Sequence, residues 1–354
     1  MFNRRNVAAL IASAAFAAKA HAQAAAPLTR IAFGSCADED KPQPIWDAVL
    51  AYRPELFIFA GDNVYGDSTD GKPVVNPLDL IPALKDSYER AKKVPGLMAV
   101  KNNIRHLAIW DDHDYGLNDG GADFSGKHDA KTLFLDFWNV PANDPRRSRD
   151  GLYHSEIVGA AGKRAQIILL DTRFFRSPLK RDPAGSSGLG RYVPDDDPAK
   201  TILGEAQWAW LGEQLRQPAE LRLIVSTVQV LADGHKWERW GNFPLELQKL
   251  RDLIGGTRAN GVVLLSGDRH IGGLYRDAGG LPYPLVEITS SGLTESWANS
   301  PENSANSVGA IYGAVNFGTV DIDWWERRVT LALRGMNGEK VRELAISFDV
   351  LKAP

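Results

Sequence analysis

Five short polar clusters carry the residue types that metal and hydrolytic chemistry use. They are Gly34-Ser35-Cys36, Gly61-Asp62-Asn63-Val64-Tyr65, Asp111-Asp112-His113-Asp114, Asp171-Thr172-Arg173 and Ser266-Gly267-Asp268-Arg269-His270. A carboxylate has two oxygens, so Asp62 could bridge two cations about 3.5–4 Å apart, as two-metal hydrolases require; it could also cap a helix. Tyr65 offers either a phenolate oxygen for a strongly acidic metal such as ferric iron or an amphipathic wall. Asp112 beside His113 lets a carboxylate bind metal while the imidazole, which titrates near working pH, faces a substrate. Asp268 and His270, at i and i+2, point to one face if a strand register continues through them. Cys36 is the only cysteine, which excludes an intramolecular disulfide and leaves a buried filler, a free thiol or a thiolate ligand. Arg173 and Arg176 could fork onto phosphate oxygens, or Arg173 could pair with Asp171 or another acid.

The elements that must position these residues are short apolar runs bounded by turn residues: Ile31 to Phe33, Leu56 to Ala60, Leu107 to Trp110, Ile167 to Leu170, Leu223 to Val225 and Val262 to Leu265. Such runs fit strands buried on both faces. With helical stretches between them, of which Gly204 to Leu215 is the clearest, they predict a layered α/β fold. Five of the six runs lead directly into the polar clusters. In such sheets, ligands gather beyond the carboxyl ends of strands, so the clusters are expected to share one site. The Gly/Pro/Asp-rich stretch 182–198 and the Ser/Asn-rich stretch 296–308 read as long loops that either wall this site or run over the surface.

Residues 1–22 read as a secretory leader. Arg4 and Arg5 precede the apolar run Val7 to Ala18, and Ala20-His21-Ala22 supplies a cleavage site. The paired arginines favour twin-arginine export, although Asn6-Val7-Ala8 fits that signal poorly. The expected location is therefore periplasmic or extracellular, with the export machinery as a partner. No later run is long and apolar enough for a membrane helix. Losing Arg4, Arg5 and Lys19 and no acid takes the formal charge from −3 to about −6, so nothing points to nucleic acid as a partner. Residues 28–354 are expected to form one domain.

Together these pieces, in order along roughly 30–295 and joined by Leu203-Gly204-Glu205-Ala206-Gln207-Trp208 and Ser226-Thr227-Val228-Gln229, resemble the alkaline phosphatase D family of calcineurin-like metallophosphoesterases. The resemblance implies a four-layer α/β/β/α sandwich of two mixed sheets flanked by helices. It implies a first metal held by Cys36, Asp62, Tyr65 and His270, and a second by Asp62, Asp112 and Asp268, with His113 facing the substrate. Ferric iron and calcium are the implied cofactors, with other divalent metals as alternatives. Oxygen-rich ligands at the second position independently suit a hard cation. Asn63, Arg173 and His235 complete the expected site as substrate contacts. Two features depart from the pattern: Gln229 stands where many such enzymes place a histidine ligand, and the β-rich domain that precedes the catalytic one in larger members is not expected here.

The expected reaction is in-line attack on a phosphate ester by a metal-bound hydroxide, with His113 assisting the leaving oxygen and no covalent intermediate. No G-x-S-x-G elbow, P-loop or HExxH motif is present. A phosphomonoesterase is the first reading. A diesterase or phospholipase D-like enzyme and a non-catalytic exported metal- or anion-binding protein are the alternatives.

Overall fold

The computed structural model describes residues 26–353 except 70, 189, 278 and 280–282; the expected leader lies outside the described residues. In chain order the strands are β1 (Arg30–Gly34), β2 (Leu56–Ala60), β3 (Ser68–Thr69), β4 (Lys72–Pro73), β5 (His106–Ile109), β6 (His154–Val158), β7 (Ala165–Leu169), β8 (Leu221–Val225), β9 (Val262–Ser266), β10 (Gly272–Asp277), β11 (Leu285–Ser290), β12 (Phe317–Asp323), β13 (Arg328–Arg334) and β14 (Lys340–Ser347). The helices are α1 (Ile45–Tyr52), α2 (Leu80–Ala91), α3 (Pro95–Asn103), α4 (Asp112–Tyr115), α5 (Lys127–Phe137), α6 (Gly204–Leu215) and α7 (Pro244–Gly256).

The strands form two six-stranded mixed sheets, ordered β14-β13-β12-β1-β2-β5 and β10-β11-β9-β8-β7-β6, beside the small β3-β4 hairpin. In the first, β1, β2 and β5 run parallel; in the second, β7, β8, β9 and β11 do. All six expected apolar runs fall on these parallel strands, with Trp110 and Leu170 one residue beyond β5 and β7. Burial explains why: every residue of β2, β7, β8 and β9 is buried. Each large side chain of β2 (Leu56, Phe57, Ile58 and Phe59) contributes roughly 1.5–3 kcal/mol by leaving water.

Each sheet carries its own helices on its outer face, giving the four layers. Trp46 of α1 packs its ring edge-on to Phe57 of β2, with centroids 5.6 Å apart. On the second sheet, Gln166 of β7 donates a 3.0 Å hydrogen bond to the Gln214 carbonyl of α6. The inner faces meet and are stitched where the parallel strands end. The Ser35 N–H donates to the Ser290 carbonyl at 3.2 Å, and the Leu293 N–H to the Ser35 carbonyl at 3.1 Å. At this seam a Cβ on Gly267 would lie 2.3 Å from Ser35 Oγ, so only glycine lets the two sheets approach this closely. Among the described residues no helix is long and apolar enough to cross a membrane.

Candidate active site

All the expected ligand positions lie at this stitched end. Gly61 leaves β2 with φ of 100°, and a Cβ there would sit 2.5 Å from Asp111 Cβ, so the two ligand-bearing turns after β2 and β5 touch. Asp114 locks them together by accepting from the backbone N–H groups of Asp62 and Asn63, both at 3.2 Å, and from that of Asp111. Beyond β9 the strand register does not continue. Asp268 and His270 both take left-handed backbone conformations, with φ of 68° and 55°. The i, i+2 rule therefore does not bring them together. Two left-handed turns do, held by the His270 N–H on Ser291 Oγ at 2.7 Å.

The side chains form overlapping groups. Ligand atoms of Cys36, Asp62 and His270 lie within 4.8 Å of one another; so do those of Asp111, Asp112 and Asp268, and those of Asp62, Asp112 and His113. Cys36 Sγ lies 3.2 Å from Asp62 Oδ2, and the Tyr65 hydroxyl 3.1 Å from His270 Nε2. Burial pushes the Cys36 thiol, the Tyr65 phenol and the Asp62 and Asp268 carboxyls above their ordinary ranges, and neighbouring anions push further: Asp62 against Cys36, Cys36 against Tyr65, Asp112 against Asp62 and Asp111 against Asp268. Burial alone would also raise Asp112, but the charges of His113 and Arg173 outweigh it and hold that carboxyl low. Burial depresses His270 to about 4, leaving a neutral imidazole able to donate its lone pair.

Burial and mutual repulsion hold these four acids above their ordinary ranges, and burial holds His270 below its own, so the set favours positive charge brought close to it. Cations supply that charge and drive such groups to ionise. Two further observations fit metal: Asp112 Oδ1 and Asp111 Oδ2 are buried with no hydrogen-bond partner. A fourth group, Asp112, Asp119 and Glu238, also lies within 4.8 Å. Three arginines face it, Arg191 on Asp119 and Arg173 and Arg176 on Glu238, whereas Arg173 alone reaches the Asp111, Asp112 and Asp268 group, through Asp111.

His113 is held from three sides. Its N–H donates to Asp62 Oδ1 at 3.3 Å, its ring stacks on Tyr65 with centroids 4.2 Å apart, and Nδ1 lies 2.6 Å from Asp67 Oδ1. Burial works against its protonation, yet Asp112, Asp62 and Asp67 together raise its pKa well above the ordinary value. Nδ1–H on Asp67 leaves Nε2 as the free edge of the ring.

The three expected substrate contacts are placed elsewhere. Arg173 is fully buried: Nε donates to Asp111 Oδ1 at 2.6 Å, and its other nitrogens meet Asp111 and Glu238, each at 2.5 Å. Of the two readings open for it, the structure gives pairing with acids, and the acids are not Asp171. Asn63 spends its amide on the Ile109 carbonyl, at 2.9 Å, and on Asp114. His235 uses both ring nitrogens, accepting from the Trp237 N–H at 3.0 Å and donating to Gln229 Oε1 at 2.9 Å. None of the three lines the cleft. Gln229 is also engaged away from the ligands, donating to the Tyr275 hydroxyl and Thr289 Oγ1, both at 2.9 Å.

The cleft itself has a volume of about 310 Å³ and is entered past Asp112, His113, Asp268 and His270. Its walls come from residues the sequence did not single out: Asn118, Asp119, Arg191, Trp237, Glu238, Arg269 and Trp297. Arg191 and Trp297 stand on the two long loops, which therefore wall the site. Among these residues, Arg269 had a signal in lying between two expected ligands, and Arg191 and Trp297 in lying on loops that could wall the site. Glu238, Asp119 and the tryptophans lie on irregular chain with no periodicity.

Comparison with known proteins agrees with this architecture. The solved structure of PhoD is similar over 92% of this chain and 69% of its own, with a TM-score of 0.72 at 14% identity. A purple acid phosphatase, PPD1 from yellow lupin (Lupinus luteus) seeds, matches over 91% of this chain and 54% of its own, with a TM-score of 0.56 at 13% identity. No curated protein sequence matches significantly. The model of the PhoD-like phosphatases matches residues 31–316. With that match spanning most of the chain, over a metallophosphoesterase fold and clustered metal-binding groups, this protein is a member of the PhoD-like phosphatase family, and so a metal-dependent phosphoric ester hydrolase.

Proposed function

We propose that the protein is an exported phosphomonoesterase working at a two-cation site, with Cys36, Asp62, Tyr65 and His270 holding one cation and Asp62, Asp112 and Asp268 the other. The observation that carries this reading is a chain of overlapping groups, Cys36-Asp62-His270, Asp62-Asp112-His113 and Asp111-Asp112-Asp268, joined through Asp62 and Asp112 beside an anchored His113. A thiolate, a phenolate and a neutral imidazole suit ferric iron, and the all-carboxylate set suits calcium. Bound cations would polarise the phosphoryl oxygens and lower the pKa of an attacking water.

The remaining work falls to the chain. Asp114 fixes the spacing of the Asp62 and Asp112 turns. Asp111, tied by Arg173 and by the Thr227 hydroxyl at 2.6 Å, steadies Asp112 from behind. His113, its Nδ1–H on Asp67, presents Nε2 to the leaving oxygen and gives it a proton as the ester bond breaks.

Elemental analysis with a visible spectrum tests the metal assignment: iron is expected, with a broad charge-transfer band that Tyr65→Phe abolishes. His113→Ala should stop phosphate release while retaining bound metal; undiminished hydrolysis would remove the role given to His113. Faster turnover of bis-p-nitrophenyl phosphate than of p-nitrophenyl phosphate would replace the monoester reading with a diester one.

A further inference from the structure

The cleft has one wall that phosphate chemistry alone does not require. Most of its lining is charged, as a site for cations and a phosphoryl group would be, yet Trp237 and Trp297 open onto it as well. Both are only partly buried. Their rings meet edge to face, with centroids 6.2 Å apart. The Arg269 guanidinium sits 5.2 Å from one centroid and 5.7 Å from the other, and it is fixed there by a buried ion pair with Glu302.

This wall is preformed. Trp297 is tied to the ligand turn itself, its N–H donating to the His270 carbonyl at 2.7 Å. Trp237 donates from its N–H to His235 Nδ1. The loops that carry the two rings are cross-linked: Ser304 Oγ and the Ala305 N–H both donate to Asp233 Oδ1, and Asn306 Nδ2 donates to the Leu231 carbonyl at 2.8 Å. The third loop joins them, with the Arg191 and Tyr192 N–H groups donating to the Lys236 carbonyl at 2.9 and 2.7 Å. These main-chain bonds fix the loops that place the two partly exposed indoles at the mouth of a charged cleft, where an apolar or aromatic part of a substrate can cover them.

Resting on the phosphoesterase reading, we infer that Trp237, Trp297 and Arg269 form a leaving-group subsite for esters whose alcohol carries an aromatic ring. An aromatic ring stacks on, or packs edge-on to, indole, and its π face attracts the guanidinium. A saturated group of equal size gains only the apolar burial.

Benzyl phosphate and cyclohexylmethyl phosphate, both esters of primary alcohols of similar bulk, separate these contributions in the metal-loaded protein. Benzyl phosphate should show kcat/KM higher by ~3- to 10-fold. Trp237→Leu and Trp297→Leu, which keep apolar bulk without the π face, should bring that ratio close to unity. Trp325→Ala, at a fully exposed turn outside the cleft, should leave it intact. Equal kcat/KM for the two esters, or a ratio that survives both leucine variants, overturns the subsite. Should those variants not fold, binding of benzylphosphonate against cyclohexylmethylphosphonate to the unaltered protein decides: a preference for the ring supports the subsite and equal affinity overturns it. Preferential benzylphosphonate binding without turnover of any ester would remove the hydrolase reading and keep the subsite. Turnover of both esters at one rate would do the reverse.

Discussion

Asp67→Asn isolates the one contact that orients His113 without involving a proposed metal ligand. Three carboxylates face this histidine: Asp112, Asp62 and Asp67. Cations at the site would neutralise Asp112 and Asp62, so in the working enzyme Asp67 carries most of the preference for the imidazolium. The Nδ1–Oδ1 distance of 2.6 Å and the burial of both partners, whose side chains are 18% and 7% exposed, mark a charge-assisted hydrogen bond. Such bonds contribute about 1.5–3 kcal/mol, or roughly one to two pH units of pKa. The sign follows directly: the raised pKa keeps His113 protonated to higher pH, so its acid function is present below that pKa and lost above it. In Asp67→Asn the alkaline limb of the kcat profile should move down by about one to two pH units. At a fixed pH on that limb, ethyl phosphate, whose leaving alkoxide needs a proton, should lose ~10- to 100-fold in kcat. p-Nitrophenyl phosphate, whose leaving group departs as a stable anion, should lose only a few-fold. Equal losses on both esters with an unmoved alkaline limb would refute the argument and reduce Asp67 to a structural support.

Three other outcomes follow from the same geometry. Arg173→Met should destabilise the protein by about 3–5 kcal/mol in urea melts, because it strands buried Asp111 without its cation and leaves Glu238 with Arg176 alone; a raised KM with unchanged stability would restore Arg173 as a substrate contact. Gly267→Ala should cost about 1–3 kcal/mol and weaken metal retention, since its Cβ would drive Ser35 and the adjacent Cys36 away from the seam. Finally, in chelator, thermal stability should fall as pH rises. Asp62 and Asp268 hold protons above their ordinary range when folded and release them near 3.8 when unfolded, so above that value the unfolded state is increasingly favoured. Added metal should flatten this slope, and a chelated protein whose melting point climbs between about pH 5 and 8 would contradict the charge assignment.

Six of the seven parallel strands were legible because burial on both faces turns them into continuous apolar runs; β11 was not, because Glu287 and Thr289 interrupt its run. β1, β2, β5, β7, β8 and β9 each fall within a residue or two of the run that announced them. The antiparallel strands were not. β14 is largely half-exposed or exposed, and its polar alternation Lys340-Val341-Arg342-Glu343 reads as readily as a surface loop. Site residues divide in the same way. Cys36, Asp62, Asp112 and Asp268 sit at strand ends, where position implies direction. Asp119, Glu238, Trp237 and Trp297 are brought in by long loops whose paths depend on hydrogen bonds between segments far apart in the chain, such as Asp233 with Ser304, and no local pattern encodes those.

The placement of Arg173 against Asp111 and Glu238 and the broken register at Asp268 share one cause. Sequence spacing states which residues are near a site, and the backbone conformation at the strand end decides where each side chain goes. Cys36, Asp62, Asp268 and His270 all have positive φ, between 49° and 68°. For residues with a Cβ such conformations cost about 1–3 kcal/mol each and persist only where the surroundings over-determine them. The surroundings here are specific. The Cys36 and Ala37 N–H groups donate to the Gly61 and Asp62 carbonyls, Gly267 N–H to the Thr227 carbonyl, and His270 N–H to Ser291. Each bond joins a ligand turn to a neighbouring strand end, so the two sheets hold four strained residues in place together. On the proposed assignment, ligands arranged this way would be aimed at their cations before any arrives, and loosening one turn should disturb both proposed ligand sets through the shared Asp62.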